Sequence, residues 1–263
     1  MMLWGIRLRV KLVTAAMLLT ALPVVFAQQE RFRERQVLDP NTDQWVEYEP
    51  QGPEEGVAGD TVDQARGHIA DGRPGKARAV LRKWTKNNPD DERYYEALLL
   101  LGDSYYESRD FWKAQKQYEQ VADNAAGEVF ELANRRTIDV ARAFLSGQKR
   151  IVWMILRLPA YAEALELLDK VWERVPGSRL GEVALKIKAD YYYGHGDVDL
   201  AQEEYANLVR QYPSGRFLQL SMLRSAEASE AAFPGIKFDD QPLVEADERY
   251  RQVLAAFPTY AER

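Results

Sequence analysis

Cysteine is absent from the 263 residues. Its absence excludes a disulfide framework and a lipid-modified cysteine at a processed N-terminus. Histidine is nearly absent too, with only His68 and His195, so a His/Cys metal cluster is not available. No Gly-rich phosphate loop and no nucleophile elbow occur, and the many carboxylates lie on charged helical stretches that read as solvated faces. The chain is therefore not expected to be an enzyme or to hold a metal or cofactor. Basic charge is also in short supply: 35 Lys and Arg stand against 41 Asp and Glu, a net charge of −6. An acidic body without a basic, aromatic-interleaved stripe disfavours nucleic acid as a partner.

What basic charge there is begins the chain. Residues 1–27 hold Arg7, Arg9 and Lys11 and no acid, followed by an apolar run from Leu12 to Val25 and a small-x-small step, Val25-Phe26-Ala27. This is the layout of a secretory signal, with cleavage expected after Ala27. The other reading is an uncleaved membrane anchor, but spanning a bilayer takes about 20 apolar residues, and Pro23 interrupts this shorter run. Removing the three N-terminal cations leaves 32 basic and 41 acidic residues, a charge of −9. From residue 28 to about 60 the chain is polar and broken by Pro40, Pro50, Gly52, Pro53 and Gly56. It reads as a flexible or extended linker. Its apolar residues Val37, Leu38, Trp45, Val46 and Tyr48 offer an alternative, docking as an extended segment on the first repeat unit after residue 60.

The remaining residues, 61–263, repeat. Ala77, Ala164, Ala201 and Ala246 are each followed, at one fixed distance, by Pro89, Pro176, Pro213 and Pro258. Four residues after each alanine stands a larger side chain: Leu81, Leu168, Tyr205 or Tyr250. Between Leu98 and Tyr105 the order Leu-x2-Leu-Gly-x2-Tyr appears, and Tyr118 again follows Ala114 by four, with Ala126 where the proline would be. Small residues such as Gly102 and Ala114 let two helices approach, Tyr105 and Tyr118 fill the space beside them, and the proline ends the second helix. The pattern resembles the tetratricopeptide repeat. It implies an all-α, right-handed solenoid of about five hairpins, stabilised by packing alone.

Two insertions interrupt it. The anchor positions 89, 126, 176, 213 and 258 are separated by 37, 50, 37 and 45 residues, against a repeat of about 34. The larger extra, around 147–158, is basic and apolar, with Lys149, Arg150, Trp153, Ile155 and Arg157 as candidate contact residues. It either rests on a membrane surface or a partner, or packs back over the solenoid. The other, near 234–243, is a Pro- and Gly-bearing loop. The chain stops five residues beyond Pro258, so it is expected either to be a fragment or to have its last repeat covered by something else.

Two first helices carry nearly the same string, Gly102-Asp103-Ser104-Tyr105-Tyr106 and Ala189-Asp190-Tyr191-Tyr192-Tyr193, and Ala226-Glu227 keeps the small-then-acidic step. Helical spacing places Asp103, Tyr106, Asp190 and Tyr193 on the concave face, where carboxylates and phenols suit a peptide ligand. The competing reading is that they satisfy one another between adjacent helices.

The aromatic-Pro ends Gln211-Tyr212-Pro213-Ser214 and Ala256-Phe257-Pro258, the export signal and the late insertion together resemble the D component of the outer-membrane β-barrel assembly machinery (BamD or ComL type) over residues 60–258. That resemblance implies a periplasmic scaffold at the inner face of the outer membrane, contacting the barrel-assembly protein and unfolded barrel substrates, with peripheral membrane association. Members of that family are usually lipoproteins, and this chain has no lipobox cysteine. A generic envelope adaptor, of the Tol-Pal coordinator or cell-division type, is the alternative.

Overall fold

The computed structural model describes residues 36–38, 45–47, 61–152, 156–233, 235 and 240–258. Strands β1 (Gln36–Leu38) and β2 (Trp45–Glu47) form an antiparallel pair within the expected linker, and β1 lies beside the third hairpin. Ten helices follow among the described residues: α1 (Thr61–Ala70), α2 (Pro74–Asn87), α3 (Tyr94–Glu107), α4 (Phe111–Asn124), α5 (Gly127–Leu145), α6 (Tyr161–Arg174), α7 (Arg179–His195), α8 (Val198–Gln211), α9 (Leu218–Ala231) and α10 (Gln241–Ala256). Between α5 and α6 runs a second antiparallel pair, β3 (Lys149–Val152) and β4 (Leu156–Pro159). Each helix packs on the next in sequence, and the first helices α1, α3, α5 and α7 also stack on one another. The result is the five-hairpin helical solenoid that the repeat implied.

The second helices show why the sequence takes this shape. Their buried or half-buried residues fall at one spacing: Ala77, Leu81, Trp84; Ala114, Tyr118, Val121; Ala164, Leu168, Val171; Ala201, Tyr205, Leu208; Ala246, Tyr250, Val253. This i, i+4, i+7 row is a narrow stripe on a helix of 3.6 residues per turn, and it faces the first helices. Burying each of the larger aliphatic residues is worth about 1.5–3 kcal/mol. First helices are enclosed more widely; in α3 every residue from Ala97 to Tyr105 is buried.

Both ends of the hairpins have a fixed stop. Asn88, Val175, Tyr212 and Phe257 close α2, α6, α8 and α10 with nearly the same backbone, φ −129 to −133 and ψ 57 to 74. Each precedes one of the four repeat prolines, and the ring of a proline forces the residue before it out of the helical region. Ala125, before Ala126, lacks that constraint and is fully extended, φ −95 and ψ 168. At the other end, α1, α3, α5 and α7 finish with a left-handed residue: Gly72, Arg109, Gly147 and Gly196. Its N–H and the next one bond back to carbonyls at i−3 and i−5, as in Gly196 to Tyr193 (3.3 Å) and Asp197 to Tyr192 (3.0 Å). Glycine adopts that backbone without cost, whereas Arg109 adopts it at φ 59.

Candidate site on the first-helix face

The small-then-acidic step of the first helices places a carboxylate opposite the tyrosine of the second helix in the same hairpin. Tyr118 Oη donates to Asp103 Oδ1 at 2.7 Å, and Tyr205 Oη donates to Asp190 Oδ1 at 2.7 Å, the same pair in two copies. Burial and the neighbouring Asp190 carboxylate push the Tyr205 phenol well above its ordinary range. In the fifth hairpin Tyr250 Oη reaches Glu230, one turn beyond Glu227, at 2.8 Å. Burial, together with this bond, pushes its pKa up to about 12.

Basic residues then connect neighbouring hairpins. Arg136 Nε donates to Asp103 Oδ1 at 3.1 Å, and its Nη1 lies 3.7 Å from Asp139. Arg142, one turn further along α5, has its pKa lowered by burial, against the opposing fields of Asp139 and Asp190. Arg224 Nη1 donates to Tyr193 Oη (2.8 Å) and to Glu227 Oε2 (2.7 Å), with its guanidinium 4.5 Å from the Tyr193 ring centre. Tyr193 Oη itself donates to Glu227 at 3.0 Å. A ladder of alternating charge therefore runs down the stacked first helices, from Asp103 to Glu227.

The ladder is closed at one end and open at the other. Asp103, Arg136 and Asp139 have side chains exposed by 2%, 4% and 3%, whereas Asp190, Arg224 and Glu227 are exposed by 40%, 37% and 31%. The difference follows from packing, since Asp103 is held between Tyr118 of α4 and Arg136 of α5, whereas Asp190 bonds Tyr205 of α8 and Lys186 of its own helix. Of the four residues expected to line the groove, Asp103 is thus enclosed and used twice as an acceptor rather than open to a ligand. Tyr106 is half-buried and stands edge-on to Phe111 at 5.1 Å. Asp190 and Tyr193 share the open section with Arg224 and Glu227. Sequence reasoning missed Arg136, Arg142 and Arg224; the signal was a basic residue three or four before an acid, in Arg136/Asp139, Lys186/Asp190 and Arg224/Glu227.

The insertion in the third hairpin is the β3–β4 ribbon, with Lys149 paired to Pro159, Arg150 to Leu158 and Ile151 to Arg157. Lys149 is exposed. Trp153 and Ile155, the other insert candidates, lie outside the described residues. A cavity of about 660 Å³ opens where the α6–α7 and α8–α9 turns meet, lined by Arg179, Glu182, Tyr212 and Arg216 among others. The Glu182 carboxylate in it accepts the Phe217 amide at 3.0 Å and so ties α7 to the start of α9. Among the described residues no three His, Cys, Asp or Glu side chains gather closely enough to hold a metal ion.

Comparison with known proteins agrees with the repeat. The tetratricopeptide repeat family matches residues 96–127, which are α3, α4 and the turn beyond. The chain is similar there to a single repeat of that family. No curated protein matches. Among solved structures, TPR-like repeats of a Podosopora anserina kinesin light chain are 18% identical over 74% of this chain and 92% of that one, with a TM-score of 0.40. A Q17M variant of the same repeats gives 18% identity, 77% and 95% coverage and a TM-score of 0.40. At that score neither likeness bears on function. Tetratricopeptide repeats act as protein-binding scaffolds, and the first-helix face is where this chain presents mixed charge and phenols.

Proposed function

We propose that the protein is an exported scaffold that holds an extended segment of a partner protein against the open section of its first-helix face, at Asp190, Tyr193, Arg224 and Glu227. The observation that carries this is the uneven ladder: one charge pattern is sealed between α3 and α5 and left half-exposed between α7 and α9. An extended peptide needs backbone hydrogen-bond partners and apolar area, and carboxylate, guanidinium and phenol supply both. Supporting the finer reading, a role in outer-membrane β-barrel assembly, are the signal-like N-terminus and the Tyr212-Pro213-Ser214 hairpin end. The partner would then be the barrel-assembly protein or an unfolded barrel substrate. The generic envelope adaptor shares the same face and differs only in the partner.

Co-purification from crosslinked envelopes tests it. Tyr193→Ala with Arg224→Ala should lose the partner at unchanged helical content, while Trp153→Ser with Ile155→Ser should retain it. Loss from the insert variant alone would move the binding surface to residues 147–158. A captured division protein in place of a barrel-assembly component would favour the adaptor reading.

A further inference from the structure

Two first helices are buried over more of their surface than stacked hairpins alone explain. An α-helix turns once in about 3.6 residues, so a run of about four buried residues leaves no side of it open. α3 is buried without a break over residues 97–105, and α5 over residues 136–141. In a hairpin solenoid a first helix meets second helices on its outer side and other first helices on its flanks, and its inner side faces the groove. α7 shows that side open. Its unbroken run, residues 181–185, lies under the turn at 212–217, where Glu182 accepts the Phe217 amide. Beyond it Lys186, Lys188, Asp190 and Tyr193 are only half-buried. In α9 the buried Ser221, Ser225, Ala226, Ala228 and Ser229 form no run longer than two.

The chain's own N-terminal ribbon is the element left to cover α5. α5 packs on α4 and α6, the second helices on its outer side, and on α3 and α7 at its flanks, and β1 is a further element against it. With the outer side and both flanks taken, the inner side remains for β1. The docking open to Val37, Leu38, Trp45 and Val46 on the first repeat unit is thus met at the third hairpin instead. β1 and β2 pair Val37 with Val46 and Leu38 with Trp45. A lone two-stranded ribbon is at best marginally stable in water. This one needs a surface, and α5 has a side that needs a cover.

We propose that the β1–β2 ribbon is a displaceable occupant of the first-helix groove over α5 and the neighbouring α3, held there as an extended partner segment is held over α7 and α9. The proposal rests on the reading of that face as a peptide-binding one. A strand at an edge carries unpaired backbone N–H and C=O groups, which a groove of carboxylates and guanidiniums can take up. The ladder is one pattern throughout; its closed section is the part already filled by the chain itself. Release of the ribbon lengthens the open groove from two first helices to four, α3, α5, α7 and α9. The N-terminal segment therefore sets how long a partner segment the scaffold holds.

The absence of cysteine makes the test direct, because a single introduced thiol takes a photoreactive label without background. Full-length Val37→Cys, labelled with a benzophenone and irradiated, should give intrachain adducts that map to residues 127–145. An unlabelled peptide of residues 33–50 at about millimolar concentration, the effective concentration of a tethered segment, should about halve those adducts. Trp45→Pro with Val46→Pro loosens the ribbon, because hydrogen bonds alternate along an antiparallel strand and one of two adjacent prolines removes one. A fluorescent form of the peptide should bind the double-proline chain about tenfold more tightly than the unaltered chain, whose own ribbon competes. Tyr193→Ala with Arg224→Ala should leave that difference unchanged, so failure of the ribbon and failure of partner capture at the open section are read separately. Adducts that map outside α5, adducts that the peptide leaves unchanged, or equal binding of the peptide by the two chains would overturn the proposal.

Discussion

A methyl group added at position 102 would sit 2.4 Å from Cε1 and 2.8 Å from Cδ1 of Tyr118, a ring with no exposed surface. Neither helix can yield without opening the hairpin, so Gly102→Ala should lower stability by about 1–3 kcal/mol, and Ala201→Leu by a similar amount. Denaturant melts check this; Glu203→Gln, on an exposed face, should stay within about 0.5 kcal/mol. The two repeated aspartates should separate in the same assay. Asp103→Asn keeps an acceptor for Tyr118 but removes the buried charge that Arg136 bonds, with Asp139 still beside the guanidinium, at a cost of about 2–3 kcal/mol. Asp190→Asn keeps an acceptor for Tyr205 beside partly exposed neighbours and should cost about 1 kcal/mol. Equal costs would mean that the two pairs are equally enclosed. pH reads a third site. Arg93 Nη2 bonds Asp63 at 2.8 Å, and that bond, with Arg66 nearby, holds the Asp63 carboxyl below its ordinary pKa of 3.8. A lowered folded pKa contributes stability that is complete above pH 3.8 and fades as pH falls below it. Asp63→Asn should therefore flatten the acid limb of a melting-temperature profile and leave the limb above about pH 7 unchanged in shape. Tyr250 acts in the opposite direction: its pKa rises from 10.0 to about 12. Stability from this phenol is complete below pH 10 and lost between there and about pH 12, which absorbance in the near ultraviolet would follow.

The elements show how far local sequence reaches. Alanine, a large residue four later and proline at a fixed offset located all the second helices but α4, and in α4 the Ala114/Tyr118 pair sufficed without the proline. These cues work because each acts within one hairpin: a stripe of small and large residues, then a backbone that proline forbids. Arg136, Arg142 and Arg224 were not legible in the same way. Their partners lie 31 to 48 residues away on a neighbouring hairpin, and no local spacing encodes which acid a long side chain reaches. Nor was the β3–β4 ribbon, since a short apolar run with flanking cations suits a strand, a buried segment or a surface helix equally. The left-handed helix ends offer a test at this scale. Arg109→Gly relieves the one non-glycine position among four equivalent ends and should raise stability by about 0.5–1 kcal/mol. Gly196→Arg should lower it by about 1 kcal/mol. An Arg109→Gly variant less stable than the parent would show that the arginine side chain outweighs its backbone cost.

For the whole molecule, stacking makes each hairpin depend on its neighbours, and it places three surfaces apart: a first-helix face of alternating charge, a turn edge with exposed apolar side chains, and a cavity between the later hairpins. Packing seals the ladder over α3 and α5 and relaxes over α7 and α9, and the proposed binding rests on this gradient. Photo-crosslinking in the cell tests it. With p-benzoylphenylalanine in place of Tyr193, Trp153 or Glu203 in turn, protein adducts should form strongly from position 193 and at background level from position 203 on the outer face of α8. Adducts from position 153 alone, or equal adducts from 193 and 203, would contradict the assignment of partner binding to the first-helix face.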